Sequence, residues 1–231
     1  MRVAIMQPYF LPYIGYFQLI NAVDTFVVYD NIQYTKKGWI NRNRFLRNHM
    51  DAVFSIPLKK DSDFLNVDQR EIASSYDRAR LIHQLRAAYQ KAPYFSQTMP
   101  VIEAIIEHPE TNLFRYIRQS IVAVCAHLHI DIKIIDSSTV DIDHSLKAQE
   151  KVIAICEALG ASVYINPIGG TSLYSTAAFA ERGMELRFLK SMPFEYPQFG
   201  KPFVPWLSIV DVMMFMNRED IGTTLCEVDF V

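Results

Sequence analysis

The sequence predicts an α/β protein: a Rossmann-like parallel sheet of about five strands with helices on both faces, plus an inserted segment of short strands and loops followed by helices. Two observations carry this. Short β-branched and aromatic runs at 2–6, 25–29, 132–135, 163–165 and 185–189 alternate with stretches of helical spacing. Between residues 31 and 130 that alternation breaks, so this segment reads as an insertion within a single α/β domain spanning 1–231.

The elements follow in order. RVAIM at 2–6 is a buried strand closed by Gln7-Pro8, because Pro8 has no N–H for the ladder and biases Gln7 to an extended conformation. Ile14, Phe17, Leu19, Ile20 and Val23 fit a short helix, and TFVVY at 25–29 is a second strand, giving a compact βαβ opening. Its loop lies where open α/β sheets bind ligands, at the carboxyl end of the first strand. Residues 34–47 are aromatic and basic, and VFSIPL at 53–58 is a short strand. Helical spacing returns at 77–90, 94–107 and 112–128, punctuated by Pro93, Pro100 and Pro109. Beyond the strand at 132–135, a helix over 145–159 stops at Gly160 and one over 175–182 stops at Gly183, with the last two strands between and after them. Ser208 opens a final helix running through Met216.

Composition narrows the function classes. Half the residues are hydrophobic and 21% are charged, as in a folded globular chain. A net charge of −2 argues against nucleic-acid binding, yet residues 1–50 hold six basic residues against two acidic ones, which suits a small anionic ligand. With only eight glycines there is neither GxGxxG nor a Walker loop. Six histidines form no HExxH and share no ligand spacing, so no metal site is expected. Three widely spaced cysteines point to a reducing, cytoplasmic setting; the N-terminus lacks a signal-peptide pattern, and no apolar run reaches membrane-spanning length.

Five groups of residues are candidates for a site. Gln7, Tyr9, Tyr13, Gly15 and Tyr16 belong to a proline-stiffened loop at the first strand's end, which reads equally as a packed aromatic turn. Asp30, at the end of the second strand, either binds a metal, orients an amine or caps the turn. Gln33, Tyr34, Lys36, Trp39, Asn41, Arg42 and Asn43 combine stacking faces with donors for phosphate; the alternative is a solvated basic face. Asn166, Gly169, Gly170 and Tyr174 follow a strand, where adjacent glycines form either an anion nest or an ordinary turn. Ser208 and Asp211 have capping spacing, which favours a structural role over a ligand contact.

QPYFLPYIGYFQLINAVDTFVVYDNIQYTKKGWINRNRF at 7–45, KAPYF at 91–95, LGASVYINPIGGTSLY at 159–174 and YPQF with PWLSIVDVMMF within 196–215 together resemble the WbqC-like family over nearly the whole chain. That resemblance implies bacterial surface-polysaccharide (O-antigen, lipopolysaccharide) biosynthesis, where amino sugars carried on nucleotides are decorated. The opening is also similar in layout to the HxGH nucleotidyltransferases and adenylate-forming ligases, with Tyr13-Ile14-Gly15-Tyr16 in the motif's place and both histidines replaced by tyrosine. Together the resemblances imply a transferase or amide-forming ligase that N-acylates or aminoacylates a nucleotide-linked amino sugar, using ATP with magnesium to activate a carboxylate. Gln7, Asp30, Tyr13 and Tyr16 are then the catalytic candidates, the remaining residues of the five groups bind substrate, and Arg42 with Lys36 holds phosphate. The alternatives are a non-catalytic sugar-nucleotide-binding or scaffold protein and a nucleotidyltransferase; homo-oligomerisation is left open.

Overall fold

A computed structural model describes residues 1–200 and 202–231. The chain runs β1 (Arg2–Met6), α1 (Ile14–Asn21), β2 (Thr25–Val28), β3 (Arg42–Arg47), β4 (Met50–Ser55), α2 (Arg78–Tyr89), α3 (Phe95–Glu107), α4 (Leu113–His127), β5 (Lys133–Asp136), α5 (Ala148–Ala158), β6 (Val163–Pro167), α6 (Thr176–Ala180), β7 (Glu185–Ser191), α7 (Ile209–Phe215), α8 (Arg218–Cys226) and β8 (Val228–Phe230). Six strands form the main sheet in the order β5-β2-β1-β6-β7-β8. All neighbours are parallel except β8, which pairs antiparallel with β7. The α/β class holds, and the predicted five-stranded sheet gains a sixth, antiparallel strand.

Side-chain alternation on the central strand explains why both faces are covered. Val3 and Ile5 pack with Val27, Tyr164 and the α5 residues Val152, Ile155 and Cys156. Ala4 faces the other way, into a larger core that includes Phe17 of α1, Ile102 of α3, Ile117 of α4, Met213 of α7 and Leu225 of α8. Growing from β1, the chain builds outward through β2 to β5 and then crosses back to β6 on β1's other side. The topological switch therefore falls between β1 and β6, where open sheets of this kind leave a crevice for ligands.

Two pieces depart from the sequence-based expectation. Residues 42–47, in the segment expected as short strands and loops with no strand assigned there, form β3 of an antiparallel hairpin with β4, registered from Arg42 opposite Ser55 to Arg47 opposite Met50. Asn48 and His49 turn it with left-handed φ values of 52° and 61°, the conformation a two-residue hairpin turn demands. Neither α8 nor β8 was expected. Asn217 caps α8 by accepting from the Asp220 N–H, and the helix buries Ile221 and Leu225, four residues apart. β8 is only three residues long, too short for period-two patterning to show.

Candidate functional site

The loop after β1 is fastened to distant elements by its backbone. Asn43 Nδ2 donates to the Leu11 carbonyl (2.8 Å) and the Phe10 carbonyl (3.3 Å), while Ser208 Oγ donates to the same Leu11 carbonyl (2.7 Å). Phe10 N–H donates to the Ile40 carbonyl at 2.9 Å. Leu11 itself sits at φ 45°, a conformation these bonds hold in place. With the loop fixed in this way, Tyr9 and Tyr13 are left half-buried at its surface.

Tyr13 stands at the start of α1, its ring 5.9 Å from that of Trp206 and inclined by 66°. These two side chains are shared by two adjoining chambers. The larger, about 400 Å³, is walled by the first turn of α1 (Ile14, Gly15), the end of β7 (Ser191) and the irregular strap leading to α7, including Met192, Phe194, Glu195, Tyr196 and Phe203. The smaller, about 200 Å³, is walled by Tyr9, Pro12, Trp39, Asn43 and Arg44. Gly15 is required at this junction: a Cβ there would lie 2.3 Å from Tyr13 Cε2 and 3.0 Å from Ser191 Oγ, so only glycine lets the Tyr13 ring fold against the helix.

The cleft is aromatic and exposed, with one cation, Arg44, and one carboxylate, Glu195, in its walls. Trp39 and Trp206 are 44% and 64% exposed, unusual for the largest apolar side chain. The Arg44 guanidinium lies 5.6 Å from the Trp39 ring centre, donates to the Trp206 carbonyl (3.0 Å) and pairs with Asp51 (3.3 Å). Burial pushes the Tyr13 hydroxyl pKa up, and burial aided by Tyr13 does the same for Tyr9, so both are neutral donors at neutral pH. Tyr9 spends its proton on Gln7 Oε1 at 3.1 Å.

Asp211 holds the strap. Its buried carboxylate accepts from Tyr89 Oη (2.7 Å), Tyr196 Oη (2.6 Å) and Gln198 Nε2 (2.8 Å). Burial pushes its pKa up and the three donors oppose that shift. Gln198 also clips the strap to itself, donating to the Val204 carbonyl and accepting from the Val204 N–H. Ser208 caps α7 by accepting from the Val210 N–H. Ser208 thus caps the helix as its spacing favours, whereas Asp211 accepts from three side chains and from no helix N–H, and neither lines the cleft.

A second polar group gathers at the ends of β2 and β5. Asp30 is buried and accepts from Ser137 Oγ (2.6 Å), Ser138 N–H (2.9 Å) and Ser138 Oγ, which ties the two strand ends together. Lys151, also buried, donates to the carbonyls of Asn31 and His144 at 3.5 and 3.4 Å and lies 5.3 Å from the Tyr29 ring. Burial, then Lys147, pushes its pKa down.

Of the residues singled out from sequence, Tyr9, Tyr13, Gly15, Trp39 and Asn43 come together in the walls of the cleft, with Gln7 behind Tyr9. The others do not line it. Tyr16 is a core residue whose hydroxyl donates to the Gln7 carbonyl (3.0 Å), which leaves it no proton to offer a phosphate. Gln33 donates to the Asp63 carbonyl, Lys36 pairs with Asp63, and Tyr34 donates to Asn41, which in turn donates to the Ile56 carbonyl. Arg42, expected to hold phosphate, donates instead to the carbonyls of Gly38 and Lys37, its guanidinium 5.1 Å from the Trp39 ring. Asn166 accepts from Tyr164 and donates to the Pro167 carbonyl; Gly170 backs directly onto it, Gly169 borders open space, and the Tyr174 ring packs on Tyr164. Trp206, Met192 and Glu195 are cleft residues the sequence-based site set lacks, and Arg44, from the basic run at 34–47, joins them. The available signal was the second of only two tryptophans, placed two residues before a helix cap.

Among the described residues no three His, Cys, Asp or Glu side chains are grouped so as to hold a metal ion, and no helix is long and apolar enough to cross a membrane. A family model described as the WbqC-like protein family matches residues 7–223. The chain belongs to the WbqC-like protein family. It is also 27% identical over 221 residues to the uncharacterized protein Rv1507c of Mycobacterium tuberculosis, covering 94% of this chain and 95% of that protein. The WbqC-like match includes every residue lining both chambers.

Proposed function

We propose that this WbqC-like protein binds a nucleotide-linked amino sugar in the Tyr13–Trp206 cleft and transfers an acyl group to its amine, as a cytoplasmic step of bacterial surface-polysaccharide (O-antigen) biosynthesis. The observation that carries the reading is the pair of exposed tryptophans flanking Tyr9, Tyr13 and Arg44. Flat aromatic faces stack on a base or sugar ring, and a guanidinium presents a planar fork to phosphate. Two expected roles move: phosphate passes from Lys36 and Arg42 to Arg44, and the amine's partner from Asp30 to Glu195, the carboxylate lining the larger chamber. The sugar nitrogen attacks the activated acyl carbonyl; the N–C bond forms, the bond to the activating group breaks, and the amine's proton passes to Glu195.

The test is incubation of purified protein with amino-sugar nucleotides and carboxylic acids, with and without ATP and magnesium, read by product mass. An acylated product that disappears in Arg44→Ala and Trp206→Ala supports the reading. Neither that mass nor AMP or ADP across the panel would overturn it. A non-catalytic sugar-nucleotide-binding role is favoured by one observation, the saturation of Asp30 by Ser137 and Ser138, and predicts tight binding without turnover. Nucleotidyl transfer loses its main motivation with the burial of Tyr16.

A further inference from the structure

We infer that the larger chamber seats the acyl group, and that this group is an apolar chain rather than an amino acid. The inference rests on the acyl-transfer reading for its chemistry, but on the chamber itself for its specificity. A cleft of about 400 Å³ is lined by Ile14, Met192, Phe194, Phe203, Leu207 and Val212. That volume is within the range of sites for small organic ligands. Most of its lining residues are apolar, the Tyr196 hydroxyl is spent on Asp211, and Glu195 is the single charged residue in the wall. The ammonium of an aminoacyl group would lose its water against these apolar walls with one carboxylate to compensate, whereas a methylene chain gains from every carbon it buries.

The two chambers meet at Tyr13 and Trp206, and the one charged residue in each wall differs in sign, Glu195 in the larger and Arg44 in the smaller. On the far side of those rings lie Arg44, Asn43 and Tyr9, groups suited to a polar, anionic ligand. A junction with an apolar compartment on one side and a cationic one on the other brings an acyl carbonyl and a sugar amine together at the shared aromatic edge. Gly15 sets the depth of the apolar side, since a Cβ there would push Tyr13 or Ser191 away from the wall they share.

Calorimetric titration of the intact protein with straight-chain carboxylates from acetate to dodecanoate, alongside glycine and alanine, tests this. Affinity is expected to rise about four-fold per added methylene at one site per chain, until the chamber is full, and then to level off. Met192 is exposed at the chamber wall, so Met192→Trp narrows it with little risk to folding and is expected to cut the affinity of the longest chain about ten-fold or more, the equivalent of two methylenes. No dependence on length, tighter binding of glycine or alanine than of the longer chains, or a length dependence that Met192→Trp leaves unchanged would each overturn the inference. Nucleotide-linked amino sugars are titrated separately. If they bind while the chains show no length dependence, the inference alone fails; if the chains behave as expected and no nucleotide sugar binds, the acceptor reading alone fails.

Discussion

Tyr89→Phe is the most demanding test of how the cleft is held. The Tyr89 hydroxyl is fully buried, donates to Asp211 Oδ1 at 2.7 Å and accepts from the Leu46 N–H at 2.8 Å. Removing one oxygen therefore orphans a backbone donor in β3 and strips a carboxylate of one of its three partners. An orphaned buried donor costs about 1–3 kcal/mol and a hydrogen bond to a charged group contributes about 1.5–3 kcal/mol. Because Asp211 keeps Tyr196 and Gln198, the lower part of the combined range applies, about 3 kcal/mol. For a chain of this size that corresponds to a fall in Tm of about 6–12 °C. Urea denaturation followed by circular dichroism gives the energy directly, with Tyr76→Phe as control, since that hydroxyl's contact with Tyr116 is a marginal 3.5 Å. A loss below about 1 kcal/mol, or one no larger than the control's, would refute the claim that this network carries the strap.

Gly15→Ala should displace the Tyr13 ring, lowering stability by about 1–3 kcal/mol and shifting Trp206 emission; an unchanged spectrum and Tm would show that the wall tolerates a Cβ. Lys151 has a folded-state pKa below its ordinary 10.5, through burial first and Lys147 second, so the unfolded chain binds the proton more tightly and stability rises with pH between the folded value and 10.5. Lys151→Met should flatten that rise in urea titrations as pH approaches 10.5, and an unaltered slope would contradict the assignment. Gly170→Ala should disrupt the turn after β6, because a Cβ would lie 1.9 Å from Asn166 Nδ2; a wild-type melting curve would show that this contact relaxes freely.

The strands β1 and β2 were legible because each is a compact apolar run buried on both faces, RVAIM and TFVV. Ser208 as a helix cap was legible for a different reason: capping is local, and its partner Val210 lies two residues away. β3 was not, because Arg42 and Arg44 alternate with the buried Asn43 and Phe45 but the buried Leu46 and exposed Arg47 then break the two-residue period. The site was legible in composition but not in assignment. WINRNR announces aromatic and basic chemistry, yet Asn41, Arg42 and Asn43 each turn to backbone carbonyls, a choice set by where β4 and the β1 loop run. Likewise Asp30 looked like a free carboxylate until the chain returned 107 residues later with Ser137. Trp206 owes its place beside Tyr13 to a strap with no periodic pattern and to its own left-handed φ of 61°.

The chain's two tryptophans both lie in the cleft, which makes fluorescence a direct reporter of the central claim. Trp39→Phe and Trp206→Phe each leave a single reporter, to be titrated with a nucleotide diphosphate-linked amino sugar. The account predicts that both reporters change emission with the same midpoint, that raising salt weakens the response, and that Arg44→Ala shifts the midpoint at least about ten-fold by removing a charge-assisted contact to phosphate. Silence of both reporters across the nucleotide-sugar panel, or a midpoint indifferent to Arg44, would contradict it.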